Sequence, residues 1–418
     1  MPPSSIVDGE PSEEIAVTGA AAGGDGVGRL ADGRAVFVRG ALPGERVRIT
    51  VAEERKRFAR GLLVEVVEAA PERVAPPCPR VAAGCGGCDW QHVAPAAQRT
   101  LKARIVTDAL RRLGRLDPPE PDLGPDLAPD GWRTTVRAVI DDDGRAGFRL
   151  HHAHEALAVG PGGCLVAHPL VDEVLREGLF PPPVREVTVR VGAATGERLV
   201  LCTPTVGDSR VPALTDATGL TLVGADELAA GHRAWIHEVV CGRRWRISAE
   251  SFFQSRPDGA EALVDAVSAA LGEALAPGAA VVDLYSGVGL FAGVLGQRTG
   301  GRVVAVESNR SAVADARVNL ADLDGARIVR SDVRRWHPSA ADVVVADPSR
   351  QGLGPEVVPR IGATGASVLA LVSCDPGALG RDAGLLARAG WRLGSVRLMD
   401  LFPHTSHVEV VTGWIRPN

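Results

Sequence analysis

From about Glu250 onward the sequence alternates helical stretches with short apolar runs: "AAVVDLYSG", "GRVVAVES", "ARIVRSD", "ADVVVADPS" and "ASVLALVSCDP". Valine-rich runs of this length belong to strands buried on both faces, and strands separated by helices pair in parallel. The pattern predicts a doubly wound α/β sheet, completed by "RLGSVRLMD" and "HVEVVTGWI". In such a sheet ligands meet the carboxyl ends of the strands, so the residues just after each run matter most.

Those residues carry chemistry. Gly287 and Gly289 in "VVDLYSGVGLFAG" follow one strand and precede a helix, which lets a ligand approach the backbone. The next strand ends in Glu307, placed to accept hydrogen bonds from ribose hydroxyls; this suits a nicotinamide dinucleotide and S-adenosylmethionine equally. Two later strands end in Asp347-Pro348 and in Cys374-Asp375-Pro376. Core packing is the default role of an isolated cysteine, but a strand-end thiol at the ligand edge reads as a nucleophile. Hydride transfer has no use for it. Methylation of a pyrimidine C5 does, because C5 becomes nucleophilic only after a thiolate has added to C6.

"DLYSGVGLF", "DPSRQGL", "SCDPGALGRD" and "FPHTSHVEVV", with "SFFQSRPDGAEALV" ahead of them, resemble the successive motifs of the RNA uridine-C5 methyltransferases. The resemblance implies a class I Rossmann-like S-adenosylmethionine methyltransferase domain that forms 5-methyluridine. Carried over by position, it implies that Gln254, Tyr285, Glu307 and Asp347 hold the cofactor and organise the site. It also implies Cys374 as nucleophile, Glu409 as base and Asp332 near the adenine. Along "HVEVV", Glu409 can face the cleft while Val408 and Val410 face away. Ser286, Leu290, Ser349 and Asp375 depart from residues common in the family, and none of them is a catalytic group. His404 and His407 receive no role. Cytosine-C5 methylation would use the same nucleophile, but it also needs an acid at N3.

Seven cysteines in a long chain without a secretion signal argue against disulfides. Cys78, Cys85 and Cys88 crowd together, and Cys164 is the candidate fourth ligand. Spacing leaves zinc and an iron–sulfur cluster open and leans to zinc. The resembled family, in members with three close cysteines and one distant one, implies a [4Fe–4S] cluster. Cys202 and Cys241 read as buried hydrophobes.

Residues 1–74 show short glycine-broken strands, which suggests a small barrel. The segment resembles the TRAM domain, an RNA-binding OB-fold. Its loop "EERKRFARG" sets Arg55, Lys56, Arg57 and Arg60 beside Phe58, suited to phosphate and base contact or simply to solvent. Residues 75–249 read as an α+β central domain with the cysteines, in which a helix at about 93–114 packs on the catalytic domain, and residues 250–418 as that catalytic domain. A net charge of −5 does not advertise a polyanion partner, but a single domain can still carry a basic face. The expected partner is RNA, 23S ribosomal RNA before transfer RNA, with a non-catalytic RNA-binding iron–sulfur protein as the rival reading. The opening segment lacks a basic start and an apolar core, and nowhere do about 18 apolar residues run together. A cytoplasmic monomer is expected.

Overall fold

The computed structural model describes residues 12–151, 153, 155–214 and 219–417; the opening segment read above for a leader lies outside them. A closed five-stranded barrel comes first, formed by Ser12–Ala20, Gly26–Arg29, Ala35–Val38, Arg46–Glu54 and Phe58–Glu68. Closure removes the unpaired edges that so small a sheet would otherwise expose. Alternate residues Val36, Val38, Val47 and Ile49 fill its interior. In the basic loop, Arg55 and Arg60 both lie against Glu53, and Phe58 meets Phe37 edge-on at 5.8 Å. Two of the loop's four basic side chains thus have a carboxylate partner within the barrel.

A six-stranded sheet with the helix Pro169–Glu177 on one face makes the α+β centre. Beside it, the hairpin Trp235–Val240 and Arg243–Ser248 presses Trp245 against Gly293 of the catalytic domain, where a Cβ would stand 2.5 Å from the indole. Cys202 is buried as expected. Cys241 is not: it turns this hairpin at φ +51°, half-buried, with Gly242 at φ +70°. A two-residue turn needs two left-handed positions to match the twist of its strands, and that requirement overrides the cysteine's preference for the core.

The large sheet runs in the spatial order Ala326–Arg330, Val303–Glu307, Val281–Leu284, Val343–Ala346, Val368–Ser373, Glu409–Ile415, Arg392–Met399 and Asp122–Leu123. The five strands from Ala326–Arg330 to Val368–Ser373 are parallel, and Glu409–Ile415 enters antiparallel between Val368–Ser373 and Arg392–Met399. The two-residue period sorts their side chains cleanly. Val281, Val303, Ala305, Val343, Val345 and Ala370 join one core; Val282, Val304, Val306, Val344, Leu369 and Leu371 join the other. Each such buried valine or leucine contributes about 1.5–3 kcal/mol.

The helix Pro95–Arg112 buries Val106 and Leu110 in the second core and lies along Pro376–Arg388, where a Cβ on Gly380 would meet the Ala109 carbonyl at 2.6 Å. Its Lys102 is wholly buried and donates to Asp400 at 2.7 Å and to the Phe402 carbonyl at 3.0 Å. Removing one member of such a pair costs roughly 3–5 kcal/mol, because the other charge stays buried. Among the described residues no helix is long and apolar enough to cross a membrane.

Candidate active site

Strand ends build the site. Val281–Leu284 runs into Tyr285, held at φ +62°, and then into Gly287 at φ +54° and Gly289 at φ +96°, the residue that opens the helix Leu290–Thr299. A non-glycine residue in the left-handed region is strained and persists only where its surroundings fix it, a condition common at functional sites. The Glu307 carboxylate fixes this loop by accepting from the backbone N–H groups of Gly287 (3.0 Å), Ser308 (2.6 Å) and Asn309 (2.6 Å). Gln254 is buried on a neighbouring segment, and the Phe252 carbonyl lies 3.9 Å from where a Gly287 Cβ would stand. Gln254, Tyr285, Gly287, Gly289 and Glu307 thus belong to one end of the sheet. Asp332 follows the edge strand, near enough to Tyr285 for its charge to act on the phenol, and is ion-paired. It accepts from the Arg334 backbone and guanidinium, which hold its carboxyl at about 2.

Cys374 follows Val368–Ser373 directly and is half-buried. Asp375 caps the next helix by accepting from Ala378 N–H at 2.6 Å, and Pro376 takes its first position, where no N–H is needed. The sharp strand-to-helix break that exposes the thiol is therefore written in "CDP". Glu409 begins the antiparallel neighbour. Ser373 pairs with Val410, so Glu409 stands across from Cys374 although 35 residues separate them in sequence. Val408 and Val410 lie in the second core, and Glu409 is only 4% exposed.

The electrostatics follow from this crowding. Burial, then the charges of Glu409 and Asp347, push the Cys374 thiol up to about 12, with Arg350 pulling the other way. Burial and the Asp347 charge raise Glu409 well above the usual carboxylate range. Asp347 keeps some solvent access, yet the packing around it lifts its carboxyl to about 7. Its loop is pinned by Asp382, which accepts from Leu353 and Gly354 N–H at 2.7 and 3.0 Å.

Cys374, Arg350, Ser406 and His407 line a cleft of about 400 Å³, whose far wall is the barrel loop 22–25 with Arg39 and the segment 86–90. The cleft brings barrel, cysteine segment and thiol to one place. A separate cavity of about 30 Å³ is ringed by Cys78, Cys85, Cys88 and Cys164, with Arg133 beside them. Among the described residues no three His, Cys, Asp or Glu side chains converge tightly enough to hold one metal ion.

Residues 13–64, the barrel, match the TRAM domain. An uncharacterized RNA methyltransferase of Streptomyces avermitilis is 38% identical over 426 residues, 95% of this chain and 96% of the relative. The chain belongs to the RNA methyltransferase family. Another member, the 23S rRNA (uracil(1939)-C(5))-methyltransferase RlmD of Alkalilimnicola ehrlichii, is 34% identical to this methyltransferase over 95% of each chain. The tRNA (uracil-54, C5)-methyltransferase of Pyrococcus abyssi, solved with S-adenosyl-L-homocysteine, shares the fold with TM-score 0.73 at 24% identity. That match covers 96% of this chain and 100% of the Pyrococcus one.

Several residues that hold the methyltransferase site together were not assigned roles from the sequence. Asp283 is fully buried beneath the glycine loop, where one oxygen accepts from Ala292 N–H and the other has no partner. Its place within "VVDL" was the available signal, a charge inside an apolar run. Asp315 and Asn319 share one face of the helix Arg310–Asn319. Asp315 accepts from Arg246, Ser248 and Ser251 ahead of Gln254, and Asn319 donates to the Val288 carbonyl in the glycine loop.

Burial raises Asp283 from 3.8 to about 8, so the folded chain holds a proton there that the unfolded chain releases. Fewer protons on the unfolded state mean stability falls as pH rises through that window and levels off above it. The melting temperature of wild type should therefore drop more between 3.8 and about 8 than that of Asp283→Asn. Parallel curves would contradict a buried neutral carboxyl.

Proposed function

We propose that this enzyme transfers a methyl group from S-adenosylmethionine to C5 of a uridine in RNA, giving 5-methyluridine, with 23S ribosomal RNA as substrate. The observation that carries the reading is the Ser373–Val410 pairing, which sets a strand-end thiol beside a buried carboxyl at the ligand edge of the sheet. The cofactor would supply an electrophilic methyl. The residues present suit it: the left-handed glycine loop admits a ligand's close approach, Glu307 ends the next strand as a ribose-binding carboxylate would, and Asp283 Oδ1 and Ser286 Oγ are buried without partners.

The target uridine leaves its stack to enter the cleft, since C5 and C6 are unreachable within a helix. The Cys374 thiolate adds to C6, and the electron pair moves to C5 and its neighbouring carbonyl. C5 attacks the methyl carbon, whose bond to sulfur breaks. Glu409 then takes the C5 proton, the C5–C6 double bond reforms and the thiolate leaves. The RlmD relative supports ribosomal RNA as the substrate. The barrel beside the cleft supports a single-stranded RNA path by stacking and backbone contact. The four cysteines around one cavity support a thiolate-held group there, and the resembled family's pattern of three close cysteines and one distant one favours a [4Fe–4S] cluster over zinc.

The test uses anaerobically purified protein, tritiated S-adenosylmethionine and separate pools of ribosomal and transfer RNA from a strain lacking the gene. Label recovered as 5-methyluridine in ribosomal RNA is expected; label only in transfer RNA would replace the substrate. No label despite bound cofactor would overturn the reading in favour of a binding protein. The same preparation should contain iron and acid-labile sulfide, whereas zinc alone would overturn the cluster.

A further inference from the structure

The loop that delivers Glu409 is held by parts of the chain remote from it in sequence. Within it, His404 sits at φ +64° and is 3% exposed, a conformation its own residues do not favour. Its N–H donates to the Gln98 side chain at 2.7 Å, its carbonyl accepts from Trp90 N–H at 3.0 Å, and its ring meets Asp130 at 3.0 Å. Two residues on, Ser406 N–H donates to the Asp89 carboxylate at 2.9 Å. Gln98 also donates to the Trp90 carbonyl, so the two anchors brace each other. The Trp90 indole N–H reaches the Gly24 carbonyl of the barrel at 3.1 Å. A Cβ on Gly24 would stand 2.6 Å from both that indole nitrogen and the Ser406 Cβ, so barrel, segment 89–90 and loop touch without slack.

We infer that Asp89 and Gln98 are positioning residues for the proton-removal step: they fix the loop 402–408, and through it the carboxyl of Glu409, against the adduct formed at Cys374. The inference rests on the proposed thiolate mechanism. Cys374 belongs to another element and is set by Val368–Ser373 and the Asp375 cap, so the clamp governs one of the two chemical groups and not the other. The two steps therefore respond differently to its loss. Nucleophilic addition and methyl transfer proceed, whereas proton removal and release of the thiolate slow down. Misplacing a reacting group by about 1 Å costs on the order of 100-fold.

The experiment compares wild type with Asp89→Ala, Gln98→Met and Asp89→Asn, following the rate of covalent adduct formation in a single turnover and the rate of product release. Gln98→Met should slow release by on the order of 10- to 100-fold, form adduct at close to the wild-type rate, and accumulate it during turnover, and Asp89→Ala, whose residue also lines the cleft, should slow release more than it slows adduct formation. Asp89→Asn, whose amide oxygen still accepts from Ser406, should restore release. Gln98 lies on a helix away from the cysteines, so its variant answers the question even if changes beside Cys88 disturb folding. A parallel fall in adduct formation and release in both variants, as general destabilisation would give, overturns the clamp, and so does unchanged release. Glu409→Gln is the reference. If it traps adduct and the clamp variants do not, the clamp alone is wrong; if it fails to trap, the base assignment falls and takes the clamp with it.

Discussion

Cys374→Ala should yield a folded, cofactor-binding protein that forms no covalent RNA adduct and loses methylation by on the order of 10⁶-fold, the scale of deleting a nucleophile that works within a catalytic unit. Folding should survive because the thiol is half-buried and the local turn is set by Asp375 and Pro376, not by sulfur. Denaturing gel shift of the protein with its RNA reads the adduct, and tritium transfer reads the product. The thiol's pushed-up value of about 12 adds a second expectation. Adduct formation in wild type should rise with pH throughout the neutral range, since the thiolate fraction is still growing there. Full activity in Cys374→Ala would end the covalent scheme.

Glu409→Gln should do the opposite to the adduct. Addition and methyl transfer need no base at this position, so methylated adduct should build up to one per enzyme while turnover falls by about 10²–10⁴-fold. Glu409 accepts a proton only when ionised, and burial together with the Asp347 charge raises it well above 4.5. Release of product in wild type should accordingly increase with pH through that raised value, and this ascending limb should vanish in the glutamine variant. Rapid-quench measurement of adduct decay separates it from the thiol's own pH dependence. Release that is fastest in acid would assign proton removal to another group.

The catalytic sheet was legible because its parallel strands are buried on both faces and so read as unbroken apolar runs. "VVVADPS" and "VLALVSCDP" announce both where a strand lies and where it stops. The barrel was legible from its glycines and alternation. Other features left no such trace. Asp122–Leu123 joins the large sheet as an exposed two-residue strand, too short for any period to show. Asp315 looks like a solvated carboxylate on an amphipathic helix until the hairpin from far upstream folds over it. The resemblance implies Asp332 near the adenine, and its ion pair with Arg334, two residues later, is a contact that strand logic does not foresee. His404 and Gln98 are uninformative in isolation, since their purpose exists only where distant segments meet.

Cys374 and Glu409 face each other just past the Ser373–Val410 rung of one hydrogen-bonded ladder, Val368–Ser373 against Glu409–Ile415. The spacing of their backbones is consequently a dimension of the sheet, and only the aim of the carboxyl is left to the loop that precedes it. The barrel loop 22–25 and the segment 86–90 that wall the cleft, by contrast, belong to other elements. In a scaffold partitioned in this way the walls of the cleft can be recut while thiol and carboxyl keep their spacing, much as a press keeps its stroke when the die is changed.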